Sequence, residues 1–268
     1  MAVSLPLLTR SQGAHIRELL LDRRVRAQDG AFVVEGAHAV RDLLTRYPEQ
    51  ILTIVSAHGY LPKEGQSDRL ARFASSAQQY SCSDLQFSKL SDLDAPQGIL
   101  AVVRQPAWDE REVLSQPTVL GIFGEQLQDP ANVGAIIRTA AALNVSGLWL
   151  TPESADVYHP KVVRATSGML LALPIFAAKD VSGLIRQGCE IFAAEVAGEG
   201  TIPIDEIHRV PRKLVLAVGN ESRGLSAQIR RQASTRFTIP LSRGVESLNV
   251  AATVAIAMFY FSRLSKET

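Results

Sequence analysis

The stretch LVLAVGNESRGLS, residues 214–226, decides how the fold is read. Leu214–Val218 is an apolar run of strand character that stops at a glycine. Gly219 and Gly224 have the spacing of the phosphate-binding loop G-x-x-x-x-G-K-[ST], and Ser226 matches its last position. Leu225 stands where that loop needs a lysine for the β/γ-phosphates, which disfavours a triphosphate site. The nucleophile elbow G-x-S-x-G fits no better, because Asn220 replaces its first glycine although Ser222 and Gly224 match. What remains is a strand-to-helix turn. Gly219 there lets backbone approach a flat ligand closely, and Glu221 adds a carboxylate at the ligand edge of a sheet. Taken alone, the segment favours a plain turn with no ligand.

Outward from this stretch, strands and helices alternate. TVLGIFG, SGLWLT, CEIFAAEV and KLVLAVG predict strands, while ANVGAIIRTAAALN and HPKVVRATSGMLLA predict helices. Such repetition builds a mostly parallel sheet with ligands at the carboxyl ends of its strands. Upstream, AHIRELLLDRRVR and AHAVRDLLTRY predict amphipathic helices, and AFVVEG, ILTIVSA and QGILAVVRQP predict strands. A polar stretch holding Pro106 and Pro117 suits a linker. The expected layout is an α/β domain over 1–105, a linker over 106–117 and a second α/β domain over 118–268.

The bulk numbers agree with two globular domains: 268 residues, 46% hydrophobic and 21% charged. A formal net charge of +1 means that any nucleic acid must be held by local patches. The two cysteines and five histidines are scattered without ligand spacing, so no metal is expected. The longest apolar stretch, LNVAATVAIAMFYF, is too short to span a bilayer, and MAVSLPLL lacks the basic region of a signal peptide. The expectation is a cytosolic protein with no membrane contact.

Two further segments carry polar residues in apolar surroundings. In DPANVGAIIRTAAAL, 129–143, Asn132 predicts a helix N-cap and Arg138 is the lone charge of the helix. By itself Arg138 fits a snorkelling surface arginine equally well. In IPLSRGVESLNVAATVAIAM, 239–258, a strand-like Ile239–Leu241 enters a polar loop, and Ser247 and Asn249 flank Leu248 at the start of a helix apolar nearly all round. That segment also fits a capped helix buried in a core or a subunit interface.

Together, in this order and spacing, NVGAIIRTA, AVGNESRGLS and IPLSRGVESLNVAATVAIA resemble the three motifs of the SpoU/TrmH family of SPOUT RNA 2′-O-ribose methyltransferases. RELLLDRRVRAQDGAFVVEGAHAVRDLL is similar to that family's accessory substrate-binding module. The resemblance implies a C-terminal α/β domain with a parallel sheet and a deep trefoil knot, preceded by a small α/β RNA-binding domain. It implies a homodimer whose active sites borrow surface from the partner, with S-adenosylmethionine bound in the knot. It places cofactor contacts on Leu216, Ala217, Val218, Gly219, Ile239, Leu241 and Leu248. It places hydroxyl activation on Arg138, supported by Asn132, Glu221, Ser247 and Asn249, with Asn249 open also to a capping role alone. A guanidinium with a pKa above ~12 is a poor base. Arg138 is therefore expected to grip a phosphate and stabilise the developing alkoxide. RNA capture is expected of Arg10, Arg17, Arg23, Arg24 and Arg26, with Lys161 and Arg164 in a second patch; the helical arginines also fit a solvated face. The activity implied is ribose methylation of large-subunit ribosomal RNA. Transfer RNA is the alternative substrate, and a non-catalytic RNA-binding protein the alternative class. One departure stands out: Asn220 occupies a position where the family commonly has a small residue or serine.

Overall fold

A computed structural model of the chain describes residues 5–60 and 78–266. It divides into two units, one formed by Met1–Ala107 with Asp156–Leu171 and the other by Trp108–Ala155 with Ala172–Thr268.

In the first unit β1 (Ala31–Glu35), β2 (Ile51–Ala57), β3 (Gln78–Cys82) and β4 (Ile99–Arg104) form a sheet in the order β1-β4-β2-β3. β4 runs antiparallel to β1 and β2, and β2 runs parallel to β3. The three strands expected from sequence are β1, β2 and β4. β3, with the sequence QQYSC, carries no apolar alternation and gives no signal. The expected single helix over AHIRELLLDRRVR is two, Arg10–Leu21 and Arg23–Asp29. Between them Asp22 is extended and its carboxylate accepts from Arg24 N at 2.7 Å, capping the second helix. Ile16, Leu19 and Leu20 pack with Val33, Val55, Phe87 and Leu100 in the core.

Residues 156–171 correct the expected layout. Sequence assigns them to the second domain and predicts one helix over HPKVVRATSGMLLA. They pack instead within the first unit, where the Tyr158 ring lies 4.9 Å from Phe32 and the Arg26 guanidinium donates to Asp156 at 2.7 Å. The helix is only Pro160–Ala165, because Ser167 and Gly168 take left-handed φ of 50° and 83° and turn the chain. Burial, and then the charge of Asp156, push the Tyr158 hydroxyl up to about 12.

The second unit holds β5 (Val119–Gly124), β6 (Gly147–Leu150), β7 (Ile175–Ala177), β8 (Glu190–Ala194), β9 (Ile202–Pro203), β10 (Arg209–Val210), β11 (Lys213–Val218), β12 (Thr235–Thr238) and β13 (Ser265–Lys266). Seven of them form one sheet in the order β7-β6-β5-β11-β8-β12-β9, every adjacent pair parallel. β11, the opening stretch, sits at its centre, and Leu214–Ala217 are fully buried. A strand covered on both faces must read as a continuous apolar run, as this one does. Helices Pro130–Ala142 and Val250–Arg263 follow the β5 and β12 loops and pack on each other. The second helix buries Val254, Ala257, Met258 and Phe261, while Ile256 and Phe259 stay 43% and 54% exposed.

Candidate active site

Parallel strands present their carboxyl ends on one edge. Here the segments leaving β5, β11, β8 and β12 meet there around a cavity of about 840 Å³. Asp129 and Asn132 come from the first segment, Val218–Leu225 from the second, Ala194–Ala197 from the third and Phe237–Leu241 with Val245–Val250 from the fourth.

The loop after β11 is held by its own backbone. A Cβ on Gly219 would lie 2.2 Å from Gly224 C and 2.3 Å from Leu225 N. The glycine is thus required because the loop closes on itself. Asn220, the departure noted in sequence, is 8% exposed and fills the turn. Its Nδ2 donates to the Gln126 carbonyl at 2.9 Å, and its Oδ1 accepts from the Ser222 and Arg223 amides at 3.0 and 3.1 Å. A glycine has no side chain to make these bonds, and Asn220 both shapes this loop and ties it to the loop after β5.

Asn132 is not the N-cap. Asp129 is, accepting from Ala131 N at 2.9 Å. Asn132 lies in the first helical turn, buried, with its amide aimed across the motifs. Its Nδ2 donates to Glu221 Oε1 at 3.1 Å, and its Oδ1 accepts from Asn249 Nδ2 at 2.8 Å. Asn249 in turn caps the C-terminal helix through Oδ1, accepting from Ala251 N at 2.8 Å. Its capping role is thus present, and it is not its only contact. Glu221 also accepts from the backbone N–H of Asp129 at 3.2 Å and Gln128 at 3.4 Å. Burial would raise the Glu221 carboxyl, but the Asn132 amide and the surrounding backbone N–H groups outweigh it and hold the carboxyl below its ordinary value.

Of the residues expected at the site, Asn132, Val218, Gly219, Glu221, Ile239, Leu241, Ser247, Leu248 and Asn249 line the cavity. Leu216 and Ala217 do not; their side chains are buried within β11. Arg138 does not line it either. It is exposed, six residues along the helix from Asn132, hence about 9 Å further down the axis. The sequence reading named neither Glu195 nor Arg230, which both line the cavity. CEIFAAEV was read as a strand, but nothing in linear order says that it lies between β11 and β12.

The basic residues separate by environment. Arg10, Arg23, Arg24 and Lys161 are exposed, with Arg24 paired to Asp22. Arg17 donates to the Leu90 and Ser91 carbonyls at 3.3 and 2.8 Å, and Arg164 pairs with Asp92 at 3.2 Å. Arg26 is 2% exposed, donating to the Leu19 and Leu20 carbonyls and to Asp156. A guanidinium so spent cannot reach a phosphate, so Arg26 is withdrawn from the RNA contacts. Among the described residues no cluster of side chains could hold a metal ion, and no helix is long and apolar enough to cross a membrane.

Comparison with known proteins agrees with this geometry. Residues 120–259 match the SpoU rRNA Methylase family, and residues 15–101 match the MRM3-like substrate binding domain. The chain is 30% identical over 259 residues to an uncharacterised tRNA/rRNA methyltransferase of Synechocystis, covering 94% of this chain and 92% of that one. It is 29% identical to the 23S rRNA (uridine(2479)-2′-O)-methyltransferase of Streptomyces viridochromogenes, covering 90% and 85%. Among solved structures, the AdoMet-bound rRNA methyltransferase of Sinorhizobium meliloti superposes with a TM-score of 0.82 at 27% identity, covering 97% of each chain.

Proposed function

Because the chain belongs to the SpoU rRNA methylase family, we propose that it is an S-adenosylmethionine-dependent enzyme that methylates a ribose 2′-hydroxyl of large-subunit ribosomal RNA. The observation that carries this reading is the chain Glu221–Asn132–Asn249, one side chain from each motif, hydrogen-bonded across the mouth of three strands. The Streptomyces relative is by name a 23S rRNA 2′-O-methyltransferase, and the Sinorhizobium structure holds AdoMet, which supports both the RNA and the cofactor.

The cavity fits that cofactor. Its volume lies in the range of small-molecule sites. Ile239, Leu241, Leu248 and Val218 offer apolar wall for a purine, and the β11 loop offers backbone amides. A buried carboxylate oxygen, Glu195 Oε1, takes no hydrogen bond from any described residue. Val218, Gly219, Ile239, Leu241 and Leu248 would hold the nucleoside. When bound, S-adenosylmethionine supplies an electrophilic methyl on a sulfonium.

The remaining work falls to the protein's own groups. The ribose hydroxyl must be held in line with that methyl, and well-oriented reactants gain the equivalent of ~10⁵ M or more in effective concentration. Asn132 has both ends of its amide engaged, so it is a positioning residue that fixes Glu221 and Asn249. Ser247, exposed on the cavity wall, is a hydroxyl free to meet the substrate ribose. Arg138 acts by gripping a phosphate and stabilising the alkoxide, with phosphate or water taking the proton. Since Arg138 is exposed and outside its own chain's cavity, it serves the cavity of a second copy in a homodimer. The exposed Ile256 and Phe259 of the C-terminal helix supply apolar surface for such an interface. Residues 108–155 with 172–268 form the knotted catalytic domain, and the first unit, residues 1–107 with 156–171, captures RNA through Arg10, Arg23, Arg24 and Lys161.

The test is methyl transfer from labelled cofactor to purified 23S ribosomal RNA and to transfer RNA, with modified positions mapped by their resistance to alkaline cleavage. Methylation at one ribosomal RNA ribose is expected. Label entering transfer RNA alone would overturn the substrate, and cofactor binding without transfer to any RNA would favour a non-catalytic RNA-binding protein.

A further inference from the structure

The sheet order places β8 between β11 and β12, the strands that lead to Gly219 and Ile239. The first residue after β8 is Glu195, so it enters the cavity between the two loops that hold the cofactor in the reading above. Its side chain is only 6% exposed. Oε2 accepts from Arg236 Nε and Nη2 at 3.3 and 2.9 Å. Oε1 is different: it is buried and takes no hydrogen bond from any described residue. Arg230 Nε lies 3.3 Å from it, an ion-pair distance, but does not donate to it. Arg230 is 44% exposed and itself lines the cavity, so rotation of one surface side chain uncovers Oε1.

A buried carboxylate oxygen without a donor is costly, and it persists where some other group meets it. We infer that Glu195 is a cofactor-binding residue whose Oε1 accepts a hydrogen bond from a ribose hydroxyl of S-adenosylmethionine. The inference rests on the function proposed above. Three arguments select the hydroxyl. An ionised carboxylate only accepts, so its partner must be a donor. Arg230 and Arg236 already answer its charge, and an incoming ammonium would face both cations; a hydroxyl brings a donor without charge. Finally, a nucleoside laid across the carboxyl ends of parallel strands meets a neighbouring strand's acidic side chain with its ribose, the arrangement used by dinucleotide-binding sheets.

The experiment is calorimetric binding of S-adenosylhomocysteine, its 2′-deoxy and 3′-deoxy analogues and its N6-methyl analogue to the full chain, alongside Glu195→Ala. The wild type is expected to lose at least ~10-fold in affinity for one deoxy analogue, the worth of one hydrogen bond to a charged group. Glu195→Ala is expected to bind S-adenosylhomocysteine at least ~10-fold more weakly and to show no further loss with that deoxy analogue. If the Ala variant fails to fold, the wild-type analogue series alone decides. Equal affinity for parent and both deoxy analogues, or a coupling of Glu195 to the N6-methyl analogue instead, would overturn the assignment while leaving the cofactor in place. No binding of S-adenosylhomocysteine by the wild type would overturn the proposed cofactor and this inference together.

Discussion

Glu221 shows how much a single side chain takes from its neighbours. Its carboxyl accepts from an amide side chain and from backbone N–H groups, and its folded pKa falls below the value in the unfolded chain. A depressed pKa stabilises the fold above the unfolded value, near 4.3, and that contribution is lost as pH falls through the folded value. Glu221→Gln removes the titration. Melting curves of the two proteins are therefore expected to differ most above the unfolded value and to converge as pH falls through the depressed folded value; a constant gap across that range would mean that the carboxylate is not what the network stabilises. Arg138 makes the complementary case, a charge that lies outside its own chain's cavity. Arg138→Ala is expected to leave S-adenosylhomocysteine affinity unchanged and to lower kcat at least ~10²-fold, the low end for one transition-state electrostatic group. Arg138→Lys is expected to fail largely too, because an ammonium lacks the planar two-point grip on phosphate. A single-turnover rate near wild type for either variant would return Arg138 to a solvated surface role.

At the level of elements, the helices of the first unit sort their arginines by face. Arg23 and Arg24 point to solvent, whereas Arg26 on the same helix is buried against Asp156 of a segment 130 residues away. Arg26→Ala leaves that carboxylate without its partner, and breaking a buried pair costs about 3–5 kcal/mol. Denaturant melts are expected to show a loss of that size, with little change for Arg23→Gln. RNA binding reverses the order: Arg23→Gln, Arg24→Gln and Lys161→Gln each remove about one counterion's worth of salt dependence from the affinity. Salt slopes unchanged in all three would move the RNA face away from these helices.

The whole molecule turns on the C-terminal helix. Its sequence is apolar nearly all round, yet in one chain only one side is covered, by Val254, Ala257, Met258 and Phe261 packing inward. Ile256 and Phe259 remain on the other side, and apolar surface of this kind commonly marks an interface. Phe259→Glu is expected to convert a dimer at micromolar concentration into a monomer in sedimentation velocity and to abolish methyl transfer while cofactor still binds. A wild-type monomer that is fully active would exclude both the dimer and the shared role of Arg138.

The sequence alone determined the strand-and-helix alternation, the apolar strand that stops at a glycine, and the three segments that would share a site. The first two follow from periodicity and turn chemistry, which act over a few residues, and the third from the resemblance of the three segments to the motifs of a known family. It also placed Asn249 at a helix start, because capping is local. It could not determine what depends on strand order. That β8 lies between β11 and β12, bringing Glu195 to the cavity, follows from long-range pairing. So do the turning of Asn132 from a cap to a bridge between Glu221 and Asn249, the burial of Arg26, and the docking of residues 156–171 with the first unit. In each case the side chain's partner lies dozens of residues away, and only the folded packing brings the two within hydrogen-bond reach.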